Sequence, residues 1–305
     1  MSKKIRPGIL IGGVSDVGKT RETNEDSFGY FEPPDDKTFE ERGRLLLVCD
    51  GMGGAAAGDK ASRIALEKIS EEYFKATGLS EKEALVLAFH KANKKLYDLQ
   101  QKDRSLKGMG TTCIAVVIKG NKATFVHVGD SRGYLIRNKK IFQITEDHSR
   151  VQEMVRRGWI SKEEAEDHPD KHILDRVLGH SQKLNVDATK PDVPLDENYS
   201  IVLCSDGLTS YLKKEEIADV VSDNLPAKAA EMLVSMANDR GGNDNITVLI
   251  ATIKKDAKQE IPLVKANIKE KVKTWIKKPF LRIAAAIFIL IIILLILILK
   301  FDLTS

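Results

Sequence analysis

Cysteine is scarce in this chain: three residues among 305. Cys49, Cys113 and Cys204 each sit in an apolar, strand-like run. No two have the C-x-x-C spacing of a zinc site, which speaks against thiolate-bound metal. Buried, reduced thiols in a reducing compartment are expected instead. Excess positive charge is also missing from most of the chain. Residues 1–253 hold 37 of the 48 basic and 40 of the 44 acidic residues, a net of −3. Nothing in that body suggests a nucleic-acid partner. The start, MSKKIRPGIL, lacks a long apolar core and a small-residue cleavage site, so no secretory signal is expected there. No internal repeat is found.

The basic character belongs to residues 254–305, with 11 basic and 4 acidic residues, a net of +7. The same segment holds 17 consecutive apolar residues, Ile283 to Leu299, between Arg282 and Lys300. A buried core helix shows a polar face, and this run has none. Seventeen residues at about 1.5 Å each span roughly 25 Å, short but sufficient for a bilayer when Arg282 and Lys300 snorkel. A transmembrane helix over residues 282–300 is expected, preceded by a basic juxtamembrane linker over 254–281. The lysine-rich flank places the large N-terminal body in the cytoplasm of a single-pass membrane protein.

In the body, residues 8–14, 27–31, 44–50, 110–119, 122–129, 132–137, 140–144, 199–204 and 245–253 read as strands, short and bounded by Gly, Asp or Asn. Helices are expected near Gly58, from Ser80 with a capping box to Glu83, and from Pro226 to just before Gly241. Short turns within 110–144 predict an antiparallel meander. The fold class is α+β: a β-sandwich with helices outside. Residues 148–182 are charged and helical in pattern, an inserted flap.

The segment GVSDVGKT (Gly13–Thr20) matches the phosphate-loop pattern of nucleotide hydrolases. Such a loop needs a helix starting at its Lys-Thr, whose amides hold the phosphates. The following RETNEDSFGYFEPPDD has no helical period, so a nucleotide hydrolase is not expected.

Five aspartates recur beside strand ends: Asp26, Asp50, Asp130, Asp206 and Asp244. Singly, each reads as a turn residue. If the ends converge, their carboxylates repel unless cations neutralise them. All-oxygen donors favour Mg²⁺ or Mn²⁺. Two such ions bridged by a carboxylate generate hydroxide from water and clamp a phosphoryl group. Arg21 offers a guanidinium to phosphate.

The motifs SDVGKTRETNEDSF, VCDGMGG, GMGTTC, HVGDSRGYL, ITEDHS, CSDGL and GGNDNITV occur in that order over residues 15–250. Together they resemble the metal-dependent protein phosphatases of type 2C, in their bacterial form. The resemblance implies a phosphatase domain over residues 5–253, with a central antiparallel β-sandwich flanked by helix pairs in four αββα layers. It implies hydrolysis of phosphoserine and phosphothreonine in proteins by a metal-activated water, with Mn²⁺ or Mg²⁺. Carried over by position, Asp50 bridges two ions and Gly51 gives a carbonyl. Asp206 and Asp244 complete the first ion's shell. Glu25 serves the second ion, Asp26 holds water and Arg21 holds the substrate phosphate. Asp130 matches the position that, with Asp206, binds a third ion in many bacterial members. A cognate Ser/Thr kinase is the implied partner.

The chain departs from the family pattern in places. Met52 stands where animal members carry a His proposed as general acid, and Ala55 and Asp59 replace a His and a Glu. His148 and a metal-bound water remain alternative proton donors. In the flap, HPDKHILDRVLG differs from the usual HPxRNxLTRxLG. Ser210 stands where Asp is common. His127 and His168 are expected to be structural. The alternative function is an inactive, membrane-tethered phosphoprotein-binding module. The complete set of carboxylates and Arg21 argues against it.

Overall fold

Strand β3 (Arg44–Cys49) reads RLLLVC and is buried from Leu45 to Cys49. Side chains alternate across a strand, so both faces of β3 must be covered. Leu45, Leu47 and Cys49 join a core built with two helices. Leu46 and Val48 take the other face, toward a second sheet. The computed structural model describes residues 3–54, 57–190, 192–257 and 260–261. Residues 4–260 form one unit by their contacts.

The first sheet runs in the order β2 (Ser27–Phe31), β3, β4 (Cys113–Lys119) and β5 (Lys122–Val128), all antiparallel. Asp187–Ala188 and Val193–Pro194 pair with the outer side of β5. The second sheet places β6 (Arg132–Arg137) between β7 (Lys140–Gln143) and β8 (Ser200–Cys204). It continues through β9 (Ile246–Lys254) to β1 (Gly8–Asp16). The sheets meet face to face: a Cβ on Gly13 of β1 would lie 2.6 Å from the Phe28 ring of β2. Glycine there is a packing requirement between layers.

Helices cover both outer faces. Helix α1 (Asp36–Arg42) caps the connection into β3, with Asp35 accepting from the Thr38 amide. Helices α2 (Ala57–Lys75) and α3 (Glu81–Lys102) pack on the first sheet through Ile69, Tyr73, Leu85 and Phe89. Ser80 and Glu83 form the expected capping box of α3. In the flap, α4 (Arg150–Arg156) and α5 (Lys162–Glu166) are short. Helices α6 (Lys214–Asp223) and α7 (Pro226–Asp239) pack on the second sheet through Ile217, Val221, Leu233 and Ala237. The layering is the expected one. Each large aliphatic side chain buried this way stabilises the fold by about 1.5–3 kcal/mol.

Two expectations are corrected. Residues 110–144 do not form one meander. Strands β4 and β5 pair in the first sheet, and β6 and β7 in the second. The chain changes sheets between Val128 and Arg132, at Gly129 with φ +103°. A short turn fits a hairpin and a corner equally well, so turn length did not reveal the switch. The flap is helical only in its first half. Beyond Glu166 the backbone is held by bridges Ser149–Leu174 and Thr111–Leu178 instead. Helices α1 and α6 were not anticipated, although Ile217, Ala218 and Val221 carry a helical period.

Among the described residues no helix is long and apolar enough to cross a membrane. The expected span over 282–300 and most of its linker lie outside them.

Candidate active site

Strand register decides where the aspartates go. In the first sheet Ser27 pairs with Cys49, so Asp26, just before one, and Asp50, just after the other, leave at the same edge. In the second sheet Cys204 pairs with both Arg132 and Val248. Asp206, Asp130 and Asp244 lie two residues beyond Cys204, Arg132 and Ile246, again at one edge. The two edges meet: Ser205 Oγ, next to Asp206, lies 2.8 Å from Asp26 Oδ2, and Asp26, Asp206, Asp130 and Asp244 all act to raise the Asp50 carboxyl.

The loop entering this edge is held by one buried amide. Asn245 Nδ2 donates to the carbonyls of Val17 (2.9 Å) and Thr23 (3.0 Å), and its Oδ1 accepts from the Glu25 amide (2.8 Å). A buried amide satisfied on both ends fixes the backbone around it. It thereby positions Arg21, Glu25 and Asp26. No helix begins at Lys19 or Thr20. Gly18, the phosphate-loop glycine of the sequence match, serves another purpose: a Cβ there would lie 2.2 Å from the Asp244 carbonyl oxygen. The nucleotide-hydrolase pattern is a coincidence of sequence.

Asp50 is seated by its backbone. Its carbonyl accepts from the Thr112 amide (2.9 Å) and Thr111 Oγ1 (2.7 Å), and its amide donates to Thr112 Oγ1 (3.3 Å). Gly51 lies tight against α2: a Cβ there would be 2.2 Å from the Gly58 carbonyl oxygen. Gly58 in turn faces Glu25, whose Oε2 would be 2.4 Å from a Cβ at that position. Gly58 was missed in the sequence because nothing local announces the contact.

Burial first, and neighbouring charge second, raise the carboxyls of this cluster. Asp26 is pushed up to about 7, by burial and then by Asp206 and Asp244, although the hydrogen bond from Ser205 opposes this. Asp130 is pushed up to about 8 by burial, Asp206 and Asp147. Asp50 is held well above the usual carboxylate range, and Asp206 is also raised. Glu25 is raised by burial, with Arg21 opposing. Asp26 Oδ1 is buried with no hydrogen-bond partner. Crowded, desolvated oxygen donors with an orphaned acceptor fit hard divalent cations. Arg21 pairs with the cluster, its Nη2 lying 2.9 Å from Asp244 Oδ2.

Three histidines are accounted for. His127 Nε2 lies 2.8 Å from the Glu146 carbonyl, and His168 Nδ1 accepts from the Asp170 amide, so both are structural. His148 Nδ1 accepts from the Gly129 amide (3.2 Å), and Nε2 lies 3.1 Å from Asp187 Oδ2. Both nitrogens are engaged, the side chain is 2% exposed, and Nε2 faces Asp187. His127, His148 and Asp187 could also group around a metal by distance. Both ring nitrogens of His148 and Nε2 of His127 are already engaged in hydrogen bonds. All three cysteines are free and buried, with Cys49 Sγ 3.3 Å from Cys113 Sγ. A cavity of about 580 Å³ lined by Lys37, Arg42, Glu81 and Lys119 contains none of the site residues.

The family model for protein phosphatase 2C matches residues 22–247. The chain belongs to the protein phosphatase 2C family. Like that family, it is a metal-dependent protein phosphatase. It is 39% identical over 241 residues to the serine/threonine phosphatase stp of Listeria welshimeri, covering 77% of this chain and 92% of that protein. It also resembles the solved serine/threonine phosphatase of S. agalactiae, with TM-score 0.73 and 34% identity over 81% of this chain and all of that one. The catalytic domain of the phosphatase PstP, solved in complex with 2 manganese ions, is 32% identical with TM-score 0.68, covering 81% of this chain and 99% of that one. The type 2C match ends before the apolar tail and includes every carboxylate of the cluster.

Proposed function

We propose that the cluster removes phosphate from phosphoserine and phosphothreonine side chains of proteins, with Mn²⁺ or Mg²⁺ as cofactor. The observation that carries this reading is the convergence of Asp26, Asp50, Asp130, Asp206 and Asp244 beside Arg21. In this reading Asp50, the Gly51 carbonyl, Asp206 and Asp244 would hold one cation, Asp50 and Glu25 would serve a second, and Asp130 with Asp206 would hold a third. The bound cations supply Lewis acidity to water and neutralise phosphoryl charge. Asp26 would accept a hydrogen bond from the attacking water through Oδ1 and so orient it. Arg21 swings from Asp244 to hold two phosphate oxygens with its planar fork.

A membrane anchor over residues 282–300 accompanies this activity in the proposal, with the catalytic body in the cytoplasm. The apolar run and the lysines before it support that arrangement. A phosphatase at the inner membrane face would oppose a membrane-bound Ser/Thr kinase. The complete carboxylate set speaks against an inactive binding module.

Incubation of the full chain with a phosphothreonine peptide and Mn²⁺ tests the activity. Phosphate release should stop with EDTA and with Asp50→Asn. Release that is indifferent to both would falsify the reading. For the anchor, the full chain should stay in carbonate-washed membranes, and the Leu290→Arg, Leu295→Arg double variant should leave them. Equal release of both chains defeats the anchor.

A further inference from the structure

Asp130 sits at the corner where the chain passes from one sheet to the other. The residue before it, Gly129, has φ +103°. Glycine adopts that conformation among many, so an isolated Val-Gly-Asp-Ser corner does not hold one geometry. His148 holds it here. The Gly129 amide donates to His148 Nδ1 (3.2 Å), and the His148 amide donates back to the Gly129 carbonyl (3.0 Å). One residue thus occupies both polar groups of the corner.

The ring's hydrogen bonds assign its tautomer. A nitrogen that accepts from a backbone N–H carries no proton, so the proton of neutral His148 resides on Nε2. That proton points to Asp187 Oδ2 at 3.1 Å. The other oxygen of Asp187 accepts from Arg176 Nη1 of the flap at 2.9 Å. The flap backbone joins at the same place, where the Asp175 amide donates to the His148 carbonyl (2.9 Å). The far side of the corner is held separately. Ser131 Oγ lies 2.7 Å from Thr112 Oγ1, and Arg132 Nε lies 3.0 Å from both oxygens of Asp147.

We propose that His148 and Asp187 are positioning residues for the phosphatase reaction. Through Gly129 they fix the corner carrying Asp130, and through Arg176 they tie the flap to the same corner. The inference rests on the reading of Asp130 as a cation ligand. Outer contacts of this kind orient ligands, and their loss typically weakens metal binding about 10- to 100-fold.

The variants separate the two arms. His148→Ala removes both. His148→Asn puts an amide oxygen near the place of Nδ1, keeping the Gly129 contact and losing Asp187. Asp187→Asn leaves the Gly129 contact and removes the charge opposite Arg176. Mn²⁺ calorimetry on the full chain in detergent should show the weakest bound ion lost or weakened about 10-fold or more in His148→Ala, and restored to within about threefold in His148→Asn. In Asp187→Asn, KM for a phosphothreonine peptide should rise about fivefold with kcat within about twofold, because the flap and not the reacting centre is loosened.

A merely structural role lowers kcat with the folded fraction and leaves metal stoichiometry of the folded chain unchanged. The proposal is overturned if His148→Ala binds Mn²⁺ like the parent. It is equally overturned if Asn rescues no better than Ala, or if Asp187→Asn changes kcat alone. Should His148→Ala not fold, the Asn variant and Asp187→Asn decide the matter. If the parent itself releases no phosphate with Mn²⁺, the underlying reading fails, a result distinct from each of these.

Discussion

Ser205 Oγ donates to Asp26 Oδ2 at 2.8 Å, a hydrogen bond that crosses from the end of β8 in one sheet to the start of β2 in the other. The same Oγ accepts from the Thr247 amide at 3.0 Å, which directs the hydroxyl proton to the carboxylate. Asp26 Oδ1 is left buried and unpartnered. One serine therefore holds Asp26 in a single rotamer and leaves one oxygen for chemistry. Ser205→Ala should cost about 1–3 kcal/mol of stability, because it strands the Thr247 amide and a buried carboxylate. Denaturant titration measures that loss. Activity should fall as well, and an unchanged rate would remove Asp26 from the catalytic centre.

Metal removal should make stability fall with rising pH. Folded Asp26 and Asp130 titrate at about 7 and about 8, against about 3.9 unfolded. Between those limits the folded, metal-free chain binds more protons than the unfolded one. Its stability is therefore fullest near the low end and is lost as pH rises through 7 to 8. Bound cations replace those protons, so Mn²⁺ should raise Tm more at pH 8 than at pH 6. Equal increments at both pH values would contradict the electrostatic account.

His148 behaves in the opposite sense. Burial first, then the neighbouring His127 and Arg176, push it down to about 4, despite Asp187. The contribution of neutral His148 is complete above its unfolded value of about 6.5 and is lost as pH falls toward 4. Acid unfolding of the metal-free His148→Asn variant should lack this component. An identical acid limb in parent and variant would show that His148 does not titrate there.

Arg21→Lys keeps a positive charge beside Asp244 and loses the planar fork. The KM for a phosphothreonine peptide should rise about tenfold, the equivalent of one charge-assisted hydrogen bond near 1.4 kcal/mol. Steady-state kinetics on Arg21→Lys and Arg21→Ala give the comparison. A KM equal to the parent's in both excludes Arg21 from phosphate binding.

Gly13 makes a test of the sheet interface. Gly13→Val drives a side chain into the Phe28 ring and should destabilise by about 1–3 kcal/mol. Combined with Phe28→Ala, the loss should be smaller than the sum of the two single losses. Additive losses would mean that the two positions do not meet.

Much of this was legible in the sequence because local rules dominate there. Apolar strands bounded by Gly and Asp set β1 to β9 to within three residues at each end. Ser80 and Glu83 announced α3, and Pro226 announced α7. The lack of a helical period after Thr20 excludes a phosphate loop from the sequence alone. The motif order was sufficient to identify type 2C.

Tertiary structure alone decided what depends on distant partners. Nothing around Gly129 reveals that the chain changes sheets there, because a short connection from β5 to β6 suits a hairpin as well as a corner, and only the pairing of β5 with β4 and of β6 with β7 and β8 separates them. Nothing in DHS reveals that both nitrogens of His148 are taken, since Asp187 is 39 residues away. The roles of Asn245, Ser205 and Gly58 likewise arise from contacts over long separations. The sequence determined which oxygen-donor side chains are available to a metal site, because residue type sets donor chemistry. The fold decided which of them meet, because strand register and buried hydrogen bonds join residues far apart in the chain.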